Sequence, residues 1–132
     1  MNAKTGSCNC SSIQYSVTLE EGYSGFNCHW VDCRKSTGQA FASLVPIKLE
    51  NLEIKSGELV KITHQGGSGN DLHRHCCKAC NAPVYLELTK SGNCYLYVGL
   101  LDDISDIQIT RNINFENGHF PFVSIREQTV EV

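Results

Sequence analysis

A mainly β domain of antiparallel strands is what this sequence predicts, and three observations predict it. Short stretches alternate apolar and polar residues, as where Ile13, Tyr15, Val17 and Leu19 interleave with Gln14, Ser16 and Thr18. That period of two belongs to a half-buried strand. Such stretches recur at close spacing with Gly, Asn and Ser between them, and one stretch alone, Asp32 to Thr37, reads as a short helix. The 132 residues suit a single domain with a core of its own, so residues 1–132 are expected to fold as one unit.

Taken in order, residues 12–19 form a strand and residues 20–25 a loop. The helix over 32–37 ends at Gly38, a residue free to take the left-handed conformation of a helix terminus. Residues 39–47 are extended, with Pro46 near a strand end or edge. Residues 52–55 and 58–64 read as a hairpin across Ser56-Gly57. The glycine-rich residues 65–71 form a flexible loop. No Gly-Lys-Ser/Thr follows them, so they are not a phosphate cradle. Residues 72–76, 84–88 and 94–100 are extended, the last two as a pair. Residues 101–104 turn, residues 107–115 alternate again, Asn117-Gly118 turns, and the tail is extended.

The cysteines carry the chemistry. Cys77 and Cys80 flank a tight turn that can aim both sulfurs at one ion. Asn81 tolerates the left-handed exit such a turn needs, and Pro83 sets the direction of the next strand. Zinc takes four ligands in a structural site, and Cys8-Asn9-Cys10 offers the other two. If the halves meet, one ion ties the N-terminus to the middle of the chain. Eight cysteines without an apolar signal-peptide core favour metal over a disulfide framework, and a C-x-C pair is poorly placed for its own disulfide. Cys94, set in Tyr95-Leu96-Tyr97-Val98, reads as a buried core thiol.

Net charge is −3 and the pI is near 5.9, poor material for gripping phosphate backbones, so no nucleic-acid partner is expected. No apolar run approaches a membrane span, and no membrane partner is expected. The expected location is cytoplasmic, with the nucleus also open to so small a chain.

Three motifs, Gly6-Ser7-Cys8-Asn9-Cys10, Cys28-His29 with Asp32-Cys33-Arg34-Lys35-Ser36-Thr37-Gly38, and Cys77-Lys78-Ala79-Cys80-Asn81-Ala82-Pro83, stand in this order. Together they resemble the glutathione-dependent formaldehyde-activating enzyme family, which includes centromere-protein-V-like proteins. Leu101-Asp102-Asp103 fits as well, and the likeness spans residues 6–115. The resemblance implies a β-tent of antiparallel sheets with two zinc sites. It makes Cys8, Cys10, Cys77 and Cys80 the structural ligands, as the spacing also suggests. Four thiolates close that coordination sphere, so this ion serves folding.

The chemistry of the family lies at a second zinc held by a C-x-C-x-x-C pattern. Here the chain reads Cys28-His29-Trp30-Val31-Asp32-Cys33. Trp30 stands where the middle thiolate belongs, and an indole has no lone pair for a metal. Cys28 and Cys33 remain as ligands of a second ion. His29, His73, His75 and Cys76 are candidate replacements, although a histidine on a strand is more often a solvated or core residue. The other readings are completion of the ion by a substrate thiol, or an empty site with Trp30 as an apolar plug.

Two functions follow. The resemblance implies a carbon–sulfur lyase that joins formaldehyde to the thiol of glutathione, giving S-hydroxymethylglutathione. Zinc would keep the sulfur nucleophilic, and Arg34 and Lys35 would help attract the tripeptide's carboxylates, although basic residues on a helix are more often simply solvated. The alternative is a non-catalytic zinc-scaffolded binding module that has lost its second zinc.

Overall fold

Residues 2–65, 71–118, 120–121 and 129–130 are described in the computed structural model. The chain runs through β1 (Asn2–Ser7), β2 (Gln14–Leu19), β3 (Gly25–Cys28), α1 (Val31–Thr37), β4 (Ala42–Ile47), β5 (Leu52–Ser56) and β6 (Leu59–Gln65). It continues through β7 (Asp71–Cys77), β8 (Pro83–Leu88), β9 (Cys94–Tyr97), β10 (Ile109–Ile113), the single helical turn α2 (Phe115–Gly118) and β11 (Thr129–Val130). A small sheet has the order β1-β2-β5, and a large one the order β11-β10-β3-β4-β9-β8-β7-β6. This is the mainly β architecture that the alternation predicts. The pairs are antiparallel except at β10, which lies parallel to β3 and β11. It reaches β3 by a long crossover, so no hairpin dictates its direction.

Ile13 and the alternating residues of β2 face the core as expected. Ile13, Tyr15, Val17 and Leu19 pack with Val45 and Ile47 of β4, Val84 of β8 and Leu96 of β9, and each is almost fully buried. Burial of a large aliphatic side chain stabilises by ~1.5–3 kcal/mol, so this layer binds the small sheet to the large one. β4 has work on both faces: Ala42 and Leu44 point the other way, toward Phe26, Leu86 and Tyr97. That second apolar face surrounds Cys28.

The helix ends as its sequence predicts. Gly38 takes φ 71°, and its N–H donates to the Arg34 carbonyl. The hairpin expected across Ser56-Gly57 does not form. β5 pairs with β2 in the small sheet, whereas β6 pairs with β7 in the large one. Leu52 and Ile54 pack on the shared core from β5, and Gly57, at φ 86°, turns the chain out of one sheet and into the other. A short turn-rich spacer looks the same in sequence whether the chain doubles back or changes sheet. The strand expected over 94–100 stops at Tyr97, and Val98–Leu100 form a 3₁₀ turn. β1 and β3 were not marked by alternation: β1 is polar, and β3 is buried at every residue. Most of the loop expected over 65–71 lies outside the described residues, as does the tail apart from residues 120–121 and β11.

Candidate metal centre and thiol pocket

Two turns bring four cysteines together. In the first, the Cys8 N–H donates to the Ile13 carbonyl at 3.2 Å and the Ser11 N–H to the Cys8 carbonyl at 3.0 Å, with Ser11 at φ 67°. In the second, the Cys77 N–H donates to the Ala82 carbonyl at 2.9 Å and the Asn81 N–H to the Cys77 carbonyl at 2.8 Å. Asn81 takes φ 64°, the left-handed exit that its side chain tolerates. The Sγ atoms of Cys8, Cys10, Cys77 and Cys80 then all lie within 4.8 Å of one another. Sulfurs around a tetrahedral zinc, at ~2.3 Å from the metal, stand about 3.8 Å apart. The Cys8–Cys10 and Cys10–Cys77 separations of 3.5 and 3.7 Å match that spacing, so the cluster fits a metal ion.

The surroundings favour the thiolate at Cys8 and Cys77, whereas at Cys10 the hydrogen bonds of Ser12 are outweighed by the neighbouring sulfur of Cys8 and burial, which raise it. The Ser12 hydroxyl lies 3.1 Å from Cys10 Sγ and 3.2 Å from Cys77 Sγ. Hydrogen bonds from Ser12 and then from the Cys80 N–H hold Cys77 down at about 6. Burial raises the Cys8 thiol, but the Ile13 N–H, 3.3 Å from its sulfur, and the neighbouring Cys10 and Ser12 bring it below the usual value. Donors aimed at sulfur stabilise the anion that a metal requires. Ser12 belongs to this centre, although its sequence position marks it only as an outward strand residue.

The second centre is a pair. Cys28 closes β3, Trp30 caps α1, and Cys33 lies in the first helical turn. Cys33 donates to Cys28 with the sulfurs 2.8 Å apart, and the Asn114 amide approaches Cys28 Sγ at 3.9 Å. The hydrogen bond from Cys33 outweighs burial and holds Cys28 at about 7, while the same contact and burial push Cys33 far up. Above about 7 the pair is set to share one proton, which Cys33 donates toward Cys28. Both line a cavity of about 510 Å³, walled by Phe26, Leu44, Leu72, Leu86 and Ile113 among others.

Trp30 lines this cavity rather than filling it, and its indole N–H donates to Asp32 Oδ2 at 3.1 Å. Asp32 Oδ1 in turn faces His64 Nε2 at 3.5 Å. His64, Asn114 and Arg111 reach the neighbourhood from β6 and from β10 and its end, and nothing local in the sequence marks them. Arg111 lines the cavity with its guanidinium 5.5 Å from the centre of the Phe26 ring. Arg34, expected to attract carboxylates, lies over the Phe120 ring instead.

None of the candidate replacement ligands joins the pair. His29 is fully buried between Phe41 and Phe115, with Nε2 2.9 Å from Asn112 Oδ1. His75 stacks on Tyr85 and meets Glu87 at 3.3 Å, and His73 meets Thr63 at 3.1 Å. Both alternate with Leu72, which lines the cavity, and so point away from it. Cys76 is buried, and burial raises its thiol. Among the described residues, the Cys8–Cys10–Cys77–Cys80 group alone brings three or more metal-binding side chains to ligand spacing. No third His, Cys, Asp or Glu among the described residues stands at ligand spacing to Cys28 and Cys33. Cys94 is a buried core thiol.

The fold and these centres define a β protein built on a four-cysteine metal knuckle, with a thiol pair beside an apolar cavity. The sequence profile of the family described as glutathione-dependent formaldehyde-activating enzyme matches residues 3–117, and the chain belongs to that family. A solved structure of a Rhodobacter sphaeroides protein is similar in fold, with a TM-score of 0.57 and 16% identity over 97% of this chain and 99% of that one. A search of curated proteins found no match. No helix among the described residues is long and apolar enough to cross a membrane.

Proposed function

We propose that the protein is a zinc-scaffolded carbon–sulfur lyase that adds the thiol of glutathione to formaldehyde in the cavity beside Cys28. The observation that carries this reading is the Cys28–Cys33 pair, a proton-sharing dithiol set in the wall of a cavity large enough for a small molecule. Family membership supplies the reaction class. The ion held by Cys8, Cys10, Cys77 and Cys80 is zinc, and its closed sulfur shell confines it to holding the fold.

The chain's own residues then account for the chemistry. Cys28, as thiolate, accepts the proton of the incoming thiol. The freed substrate sulfur bonds to the carbonyl carbon while the C=O π pair moves to oxygen, and that oxygen takes the proton back from Cys28. Cys33 keeps Cys28 ionised by its hydrogen bond. Arg111 puts a positive charge in the wall, the complement of a tripeptide carboxylate.

The test is formation of S-hydroxymethylglutathione, followed by NMR on zinc-loaded protein. Cys28→Ser is expected to lower the rate by roughly a hundredfold, the usual scale for losing a general base, with zinc content unchanged. Unchanged turnover refutes the role of Cys28. Zinc per chain is to be counted with and without glutathione. A second equivalent appearing only with glutathione assigns Cys28 and Cys33 to an ion completed by the substrate.

One observation favours a second reading, a non-catalytic binding module: Trp30 occupies the place of a family thiolate. Its signature is one zinc under both conditions, no turnover, and a protein partner recovered in pull-downs.

A further inference from the structure

The pair at Cys28 and Cys33 differs from the metal knuckle in one measurable way. Its sulfurs stand 2.8 Å apart, well inside the ~3.8 Å that two sulfurs take around a shared zinc. The knuckle's sulfurs, at 3.5 and 3.7 Å, keep the metal spacing. No third His, Cys, Asp or Glu joins the pair at ligand distance among the described residues. The two thiols instead contact each other across the turn between β3 and α1, close enough that a small rotation of either side chain brings them to bonding distance.

Two thiols in contact within one cavity wall separate this pair from the other cysteines. Cys8, Cys10, Cys77 and Cys80 form the knuckle, Cys76 is 2% exposed, and Cys94, 5% exposed, borders a different cavity, beside Pro46, Glu50 and Asn93, with no second cysteine in its wall. Cys28 and Cys33 both border the 510 Å³ cavity, and Cys33 is part-exposed. A small reagent entering that cavity meets a dithiol.

We propose that Cys28 and Cys33 form a thiol–disulfide exchange site for low-molecular-weight disulfides, of which glutathione disulfide is the probe. Cys28, whose sulfur receives the Cys33 hydrogen bond, attacks one sulfur of the disulfide. The S–S bond breaks, one glutathione leaves as thiolate and takes up a proton, and the other stays bound to Cys28. Cys33 then loses its proton and attacks the Cys28 sulfur, expelling the second glutathione. Two protein thiols are oxidised to one disulfide, and one small disulfide is reduced to two thiols, so no further oxidant is needed. Excess reduced glutathione reverses each step. The exchange does not depend on the lyase reading, but it bears on it, because the oxidised pair has no thiolate to accept a substrate proton.

Reduced, zinc-loaded protein is incubated with glutathione disulfide and followed by intact mass and peptide mapping. The expected product has lost two hydrogens, carries a Cys28–Cys33 link and keeps its zinc. Cys33→Ser is expected to stop at the mixed disulfide, with one glutathione on Cys28, and Cys28→Ser to form no link. Circular dichroism and zinc content establish that both variants are folded. The proposal is overturned if folded Cys33→Ser takes up no glutathione, if Cys76 or Cys94 reacts as fast as Cys28, or if the link appears only after zinc is lost. Turnover by the reduced protein is measured alongside. A link in a chain without turnover removes the lyase reading alone, and turnover in a chain that never forms the link removes the exchange site alone.

Discussion

Trp30 shows how one side chain resets a site. It lines the cavity with its indole tied to Asp32, in a place where a thiolate would face Cys28 and Cys33. Trp30→Cys is therefore expected to raise zinc from one to two per chain, as counted by elemental mass spectrometry. A count that stays at one would mean that backbone position, rather than ligand chemistry, closes the site to metal. The proton shared by Cys28 and Cys33 gives a second prediction. Alkylation of Cys28 depends on its thiolate, which predominates above about 7 and is lost as pH falls below that value. In Cys33→Ala the lowering hydrogen bond disappears while burial, which raises the thiol, remains. The midpoint of the alkylation profile is expected to move upward, and an unchanged midpoint would show that Cys33 does not hold the thiolate. The knuckle ligands were legible in the sequence because metal chelation by a tight turn demands fixed short spacing. Ser12, His64, Asn114 and Arg111 were not, because each reaches its sulfur or cavity by a fold contact that leaves no local trace.

Among the elements, the link between β5 and β6 is the most exacting. A Cβ on Gly57 would meet the Ser12 carbonyl oxygen at 2.4 Å, and φ 86° is unfavourable for any other residue. Gly57→Ala is expected to destabilise the protein by about 2 kcal/mol or more, read as a drop in the urea midpoint. Because Ser12 also contacts the knuckle sulfurs, weakened zinc retention should accompany the loss. A neutral result would show that the chain can change sheets without this close approach. Strands whose inner face alternates cleanly, such as β2, were readable from period two alone. β1 was not, since its polar residues join the sheet through backbone pairing with β2 from Asn2↔Leu19 to Ser7↔Gln14. Helix α1 is too short to persist unaided. It is held by its Gly38 terminus and by the Cys33 contact to β3.

For the molecule as a whole, the knuckle joins the turn after β1 to the turn after β7, so an ion held there would staple the small sheet to the large one. Structural zinc in small modules contributes on the order of 10 kcal/mol, comparable to the entire stability of many domains. Chelation is expected to speed hydrogen exchange first in β1, β2 and residues 77–84, while β4 and β9, packed on both faces, stay protected. Uniform loss of protection would mean that the two sheets fold only as one cooperative unit. The mainly β class was readable from the strand pattern. The allocation of strands to sheets was not, since it depends on which core each apolar face finds. The reach of the staple also bears on how the chain is made. Cys10 and Cys77 are separated by 67 positions along the chain, so a ribosome must deliver all of that intervening stretch before the first cysteines can find their partners. Until then the opening strands wait without their cross-link, and a metal would seal the knuckle only after Cys80 has been made.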